Sequence, residues 1–133
     1  MTDNRASQSR DAALRLLGAW RLHYLDNADR DARSAPPAEG LIIYEAGGYM
    51  SAQILSSGRG GSAGAEASEH HAYFGTYTVD ADASTVTHHR ILNTNRDAPA
   101  DVVRAYRFVS DDVLVLAPQG HPGVQLTFRR ARR

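Results

Sequence analysis

Two adjacent histidines, His88 and His89, are the side chains of this sequence best suited to proton transfer. They lie in a segment of alternating character, residues 85–92, which predicts a β-strand. Neighbouring side chains of a strand point to opposite faces, so the two imidazoles cannot chelate one metal ion together. We predict that His88 faces inward and acts as a general acid or base. The alternative is a core histidine that is hydrogen-bonded to a tyrosine.

Arg104 is the residue that we predict to hold an anion or an enolate, because its guanidinium is a permanent planar donor. The alternative is an arginine at the rim of the fold, paired with a carboxylate from a loop. The positive charges of Arg90 and Arg104 favour the neutral form of His88. Tyr77 shares the predicted inner face with His88. The candidate catalytic residues are therefore His88, Arg104 and Tyr77.

The predicted inner face is rich in phenols and guanidiniums and contains no Asp or Glu. An unpaired charge inside a protein is costly, so these arginines need an explanation. They could extend to the rim, be covered by loop carboxylates, or face a wet cavity that accepts an anionic or enolic ligand. We favour the cavity, and we expect its ligand-binding residues to be Tyr24, Tyr44, Met50, Arg90, Tyr106 and Phe108.

The composition removes several chemistries. All 15 basic residues of the 133-residue chain are arginines, and the chain has neither lysine nor cysteine. The absence of lysine excludes Schiff bases, lysine-anchored pyridoxal phosphate and the P-loop. The absence of cysteine excludes thiol nucleophiles, disulfides, thiolate zinc sites and iron–sulfur clusters. We therefore predict no cofactor and no metal. A net charge of +0 argues against a nucleic-acid partner.

Eight short segments with strand-like alternation follow Gly18 and are separated by turn residues. They are residues 19–26, 41–45, 49–55, 72–80, 85–92, 102–110, 113–117 and 124–130. Strands joined mostly by tight turns predict an all-β fold, an eight-stranded antiparallel up-and-down barrel, because closure removes both sheet edges. An open β-sandwich is the alternative.

The turn at residues 46–48 decides which side chains of the second and third predicted strands face inward. A three-residue turn with Gly48 in the left-handed region places Tyr44 beside Met50 and Ile42 beside Ala52 on the inner face. A two-residue turn would place Leu41 and its partners there instead.

The chain ends give further expectations. Residues 1–10 are polar and are predicted to be disordered, and a short helix follows over residues 11–17 with Asp11 as its N-cap. Residues 11–130 form one predicted domain, and residues 131–133 a frayed C-terminus. The sequence shows no apolar leader and no run of membrane length, so we expect a cytoplasmic protein without a membrane partner.

An apolar stripe on the predicted outer face suggests a homodimer contact through Val103, Ala105, Val109, Val113 and Val115.

Several short motifs, taken in order, resemble a known family. They are Leu17-Gly18-Ala19-Trp20-Arg21-Leu22, Gly48-Tyr49-Met50-Ser51-Ala52-Gln53, Gly75-Thr76-Tyr77-Thr78-Val79-Asp80, Thr85-Val86-Thr87-His88-His89 and Leu126-Thr127-Phe128-Arg129-Arg130. The chain resembles the bacterial lipocalin-like domain proteins, which are small calycin-type β-barrels, over residues 14–130. The resemblance implies an eight-stranded barrel with a small-molecule cavity, a fold that hosts carriers, cyclases and isomerases alike.

Two functions follow from these observations. The leading hypothesis is a cofactor-independent enzyme of the cyclase or isomerase type, which acts on a hydrophobic, acidic or enolic metabolite in the barrel. The alternative is a non-catalytic binding or carrier protein for a hydrophobic small ligand. Either function needs a small molecule as the partner.

Overall fold

The computed structural model describes residues 4–27, 32–34, 38–57, 68–120 and 123–132. One helix, α1 (Asn4–Leu16), precedes nine strands. The strands are β1 (Gly18–Asn27), β2 (Ala32–Ser34), β3 (Ala38–Tyr44), β4 (Tyr49–Ser57), β5 (Ser68–Asp80), β6 (Thr85–Asn93), β7 (Asp101–Ser110), β8 (Val113–Pro118) and β9 (Val124–Arg130). The described part of the chain contains no helix that is long and apolar enough to cross a membrane.

The sheet closes on itself. Strands β3 to β9 pair in chain order, and β1 pairs with both β3 and β9. These strands form a closed eight-stranded antiparallel up-and-down barrel, as predicted, and the open sandwich is excluded. Strand β2 is an addition that the sequence did not indicate, and it pairs only with the last residues of β1, from Leu25 to Asn27.

The helix is longer than predicted, because it begins at Asn4 rather than at Asp11. The expectation of disorder for residues 1–10 was therefore wrong from Asn4 onward, and Asp11 lies within the helix instead of capping it. Tertiary contacts explain the difference. The Ser9 hydroxyl accepts a hydrogen bond of 3.0 Å from the Ala81 amide, and Arg5 forms a 3.3 Å ion pair with Asp82. The first turns of the helix are polar and have no apolar stripe, and these contacts hold them against the β5–β6 turn.

The register of β3 and β4 follows the three-residue turn. Tyr44 lies opposite Met50 and Ile42 lies opposite Ala52, and all four side chains are buried. Gly48 has a φ of 101°, which favours glycine, and its amide donates to the Glu45 carbonyl at 3.1 Å. The two-residue turn is therefore excluded.

The barrel has two different ends. At the helix end, where α1 meets the β5–β6 and β7–β8 turns, Leu16 and Trp20 are fully buried. Trp20 Nε1 donates to the Leu16 carbonyl at 2.8 Å, and the Arg130 guanidinium lies 4.2 Å from the Trp20 ring centroid. The opposite end, called the distal end below, is where β4 and β6 finish and β5 and β7 begin.

The outer stripe predicted to form a homodimer contact is only partly available. Val115 is 5% exposed, and Val109 is the exposed member of the predicted set. The homodimer stays a prediction.

Candidate functional site

His88 lies at the centre of a buried chain of three rings. Its Nε2 atom is 2.7 Å from the Tyr44 hydroxyl oxygen, and its Nδ1 atom is 2.9 Å from the Tyr73 hydroxyl oxygen. His88 is fully buried and Tyr44 is 1% exposed, whereas Tyr73 is half-buried. The chain therefore runs from the core at Tyr44 toward the accessible surface at Tyr73.

The protonation of these groups follows from their burial. Desolvation, together with the positive charges of Arg104 and Arg90, lowers the pKa of His88 to about 3. Burial also raises the pKa of Tyr44 well above its ordinary value. Both rings are thus neutral at physiological pH. This arrangement matches the alternative of a core histidine bonded to tyrosine, and any proton transfer by His88 must pass through a tyrosine.

Arg104 faces inward from β7, because it lies opposite the fully buried Val86 of β6. It is close enough to His88 and Tyr44 to act on the pKa of both. Within the described ranges, no carboxylate and no hydrogen-bond acceptor contacts its guanidinium. Its donors are therefore free to bind an anion.

Arg90 lies beside this group, also on the inner face. Its guanidinium carbon is 4.9 Å from the centroid of the Tyr73 ring, and Nη2 donates to the Pro99 carbonyl. The Nε atom is buried and has no acceptor among the residues that the structure describes. Burial lowers the pKa of Arg90, as expected for a cation held away from water. An unpaired buried donor of this kind is unusual and suggests that an acceptor binds there.

No described side chain of the inner face is a carboxylate. The polar members of that face, given by strand register, are His71, Tyr73, Tyr77, His88, Arg90, Asn93, Arg104, Tyr106, Arg130 and Tyr44. The phenols and guanidiniums of this set lie on the inner face as predicted, and none of its members is Asp or Glu. These residues together offer an anion several hydrogen-bond donors.

The structure brings two other predicted residues, Tyr44 and Tyr77, close to His88. Tyr44 contacts it directly, and Tyr77 packs on Tyr44 with ring centroids 4.9 Å apart. The Tyr77 hydroxyl, however, donates to the Glu45 carbonyl at 3.1 Å rather than to His88. Met50 is 3% exposed and packs in the core. Tyr77 therefore supports the chain and does not extend it, and Met50 is a core residue opposite Tyr44.

Tyr106 and Phe108 face inward as predicted but lie at the helix end, away from His88. Arg15 of α1 stacks over Phe108 at 4.0 Å, and Phe108 is 6.3 Å from the Trp20 ring. Burial and the charge of Asp80 raise the pKa of Tyr106. The helix seals this end, so the structure does not join these two residues to the His88 group.

Tyr24 is not on the inner face, which corrects the prediction. A β-bulge between Leu22 and Tyr24 shifts the register, so that Tyr24 lies opposite Thr127 and Leu25 opposite Leu126. The extra residue of a bulge moves the following side chains to the other face. Leu25 takes the inner position that alternation gave to Tyr24.

Tyr73 is a member of the site that the sequence analysis missed. It lies opposite the buried Ala52 of β4, and its hydroxyl bonds His88. The signal was available, because alternation from Tyr77 through Gly75 places Tyr73 on the same face.

A second polar chain lies on the outer face. The Thr78 hydroxyl is 2.9 Å from His89 Nε2, and His89 Nδ1 is 3.1 Å from an Asp101 carboxylate oxygen. The order hydroxyl, imidazole, carboxylate is that of a catalytic triad. The three groups are solvent-accessible, and the strand amides around them serve the β-ladder, so no oxyanion site accompanies them. We assign this chain to cross-strand contacts.

Two cavities lie at the distal end. One, of about 440 Å³, lies on the outer face of the barrel and is lined mostly by outward-facing residues, among them Arg21, Leu41, Gln53 and His70. The other, of about 290 Å³, lies between Arg90 and the β6–β7 connection that includes Pro99. Across the described residues, no three His, Asp or Glu side chains are grouped so that they could hold a metal ion.

Comparison with known proteins identifies the family. A sequence model described as a lipocalin-like domain matches residues 17–121. The chain belongs to the lipocalin-like domain family. That barrel is a fold suited to small-molecule binding. No curated protein matches the chain. A redesigned beta barrel is similar in structure, with a TM-score of 0.51, 16% sequence identity, and coverage of 91% of this chain and 96% of that chain. This likeness concerns the fold alone.

Proposed function

We propose that this lipocalin-like protein binds a small molecule with an apolar body and an anionic or enolic oxygen in the distal half of the barrel. The observation that carries the proposal is the pair of inward guanidiniums, Arg90 and Arg104, on a face without a described carboxylate. A cation that has given up part of its hydration without gaining a counter-ion is costly, and an anionic ligand removes that cost.

The inner face of the distal half also carries apolar side chains that suit the body of a ligand. Leu25, Ile54 and Leu126 face inward and are only partly buried against the core. Apolar walls with a few convergent polar groups are typical of small-molecule sites. The ligand would place its anionic group toward Arg90 and Arg104 and its body against these side chains.

The affinity of a planar aromatic acid tests this proposal. 2-Naphthoate carries one carboxylate, and 2-naphthamide has nearly the same shape without the charge. We expect calorimetry to give tighter binding of 2-naphthoate, and Arg104→Gln to weaken it about tenfold or more, the loss of a charge-assisted contact. The control is Arg107→Gln, which removes an exposed guanidinium from the same strand. Equal affinities for wild type and Arg104→Gln would reject the proposal.

A catalytic role of the cyclase or isomerase type is the second candidate. The Tyr44–His88–Tyr73 chain favours it, because a polarised phenol beside two guanidiniums can stabilise the charge of a developing enolate. Phenylpyruvate is a suitable probe, since it combines an aromatic body, a carboxylate and an enolisable carbon. We expect the protein to accelerate hydrogen–deuterium exchange at that carbon, and His88→Ala and Arg104→Ala to lose the acceleration. If wild-type protein leaves the exchange at the rate measured in buffer alone, the catalytic role is rejected and the binding role remains.

A further inference from the structure

We infer that the Tyr44–His88–Tyr73 chain has a fixed direction and presents the Tyr73 hydroxyl as a hydrogen-bond donor, so that the site selects an oxygen that can only accept. Such oxygens belong to carboxylates, enolates, phenolates and carbonyl groups, and the anionic ones accept the stronger hydrogen bond. The inference rests on the proposed function and sharpens its ligand class, and it gives Tyr73 the role of a specificity-determining residue.

Tyr44 sets the direction. Its hydroxyl lies in the core, and His88 Nε2 is the one hydrogen-bond partner that it has in the described part of the chain. If Nε2 carried the proton, Tyr44 would accept that proton and its own O–H would be left without an acceptor. An unmade hydrogen bond in the interior costs about 1–3 kcal/mol. Tyr44 therefore donates to Nε2.

The hydrogen bond at Nε2 also determines the protonation of Nδ1, because a neutral imidazole carries one ring proton. With Nε2 as acceptor, the single ring proton lies on Nδ1 and is donated to the Tyr73 oxygen, 2.9 Å away. The histidine has no second proton to give, because burial keeps it neutral. Tyr73 is thus an acceptor toward His88, and its own O–H remains available.

The free O–H of Tyr73 lies in the same group as Arg90 and Arg104. Tyr73 is half-buried, and Arg90 stacks on its ring. A phenol that accepts a hydrogen bond is a stronger donor, because linked hydrogen bonds polarise one another. The Tyr73 hydroxyl and the two guanidiniums then offer a ligand three donor groups. An ammonium gains no hydrogen bond from these donors and is repelled by the two positive charges.

The tautomer of His88 tests the direction without any ligand. In a long-range proton–nitrogen NMR spectrum of histidine-labelled protein, we expect His88 to carry its proton on Nδ1. Tyr73→Phe should keep this tautomer, because Tyr44 still donates to Nε2. A proton on Nε2 in the wild type would overturn the inference, since Tyr73 would then have to donate its proton to Nδ1.

Ligand preference provides the second arm. We expect Tyr73→Phe to reduce the preference for 2-naphthoate over 2-naphthamide at least threefold, while the tautomer is unchanged. An unchanged preference would overturn the role given to Tyr73. If the Nδ1 tautomer is found but Arg104→Gln leaves 2-naphthoate affinity intact, the proposed function fails and the direction of the chain stands.

Discussion

The Tyr73 ring connects a cation to a buried histidine: the Arg90 guanidinium carbon lies 4.9 Å from its centroid, and its hydroxyl lies 2.9 Å from His88 Nδ1. One aromatic side chain thus links an inward positive charge with a neutral hydrogen-bonded core.

Acid should destabilise the protein through His88. The folded-state pKa of His88 is about 3 and the unfolded-state value about 6.5, so between these values only the unfolded chain gains this proton. The free energy of unfolding therefore falls as the pH falls from 6.5 toward 3, by up to about 1.4 kcal/mol per pH unit. Urea unfolding of wild type and His88→Gln at several pH values isolates this contribution, since the carboxylates titrate in both proteins.

A histidine NMR titration checks the same claim without a variant. The His88 ring should stay neutral at pH 5. Protonation at that pH would contradict the folded-state pKa on which the expected slope depends.

Removing the Tyr44 hydroxyl should cost stability. Tyr44→Phe leaves His88 Nε2 buried without a donor, which we expect to lower the free energy of unfolding by about 1–3 kcal/mol. Tyr77→Phe is the matched control, because the Tyr77 hydroxyl bonds a backbone carbonyl at 3.1 Å and is less buried. Urea unfolding followed by Trp20 fluorescence measures both. A larger loss for Tyr77→Phe would speak against the buried chain.

Gly75 should not tolerate a side chain. An added Cβ would overlap the His89 carbonyl and come within 2.9 Å of the Arg90 Cα, both backbone atoms beside the β5–β6 bulge. We expect Gly75→Ala to destabilise the protein by about 3 kcal/mol or more, since the sheet must shift. Gly120→Ala separates the clash from backbone strain, because Gly120 has a φ of +87° but open space around it. Its cost should be about 1 kcal/mol. Similar losses in the two variants would refute the clash.

Arg130 should be the most important cation of the helix end. Its Nη1 donates to the Leu17 carbonyl at 2.8 Å, Nη2 donates to the Arg15 carbonyl at 3.0 Å, and the guanidinium stacks on Trp20. Replacement by alanine removes these contacts together, and we expect a loss of about 2 kcal/mol and a shift of Trp20 fluorescence. Arg129→Ala changes an exposed residue of the same strand and should cost less than about 0.5 kcal/mol. Equal losses would contradict this role of Arg130.

The eight barrel strands and most of the inner face could be predicted from the sequence, because half-buried strands alternate apolar and polar residues with a period of two. The sequence could not place the three bulges of the described strands, since an extra residue in one strand is decided by its partners. The bulge after Leu22 moved Tyr24 to the outer face, and the bulge after Phe74 lies beside Arg90. The helical structure of the first turns of α1 was not predicted for a similar reason. Ser9 is held by a hydrogen bond from Ala81, which is distant in sequence.

The chemistry of the site was predicted in part. His88, Arg90 and Arg104 follow from alternation and are found together. The hydrogen-bond partners of His88 required the three-dimensional structure, because Tyr44 and Tyr73 come from different strands. Tyr106 and Phe108 have the expected orientation but lie at the end that α1 closes, which alternation cannot distinguish.

The position of a bound acid tests the central claim most directly. Intermolecular nuclear Overhauser contacts of 2-naphthoate identify the methyl groups that it touches. We predict contacts to Ile54 and Leu126, which face the interior of the distal half, and their weakening in Arg104→Gln. Contacts only to the outer-face methyl groups of Ile43 and Leu92, which are 39% and 64% exposed, would show surface adsorption and contradict an anion site inside the barrel.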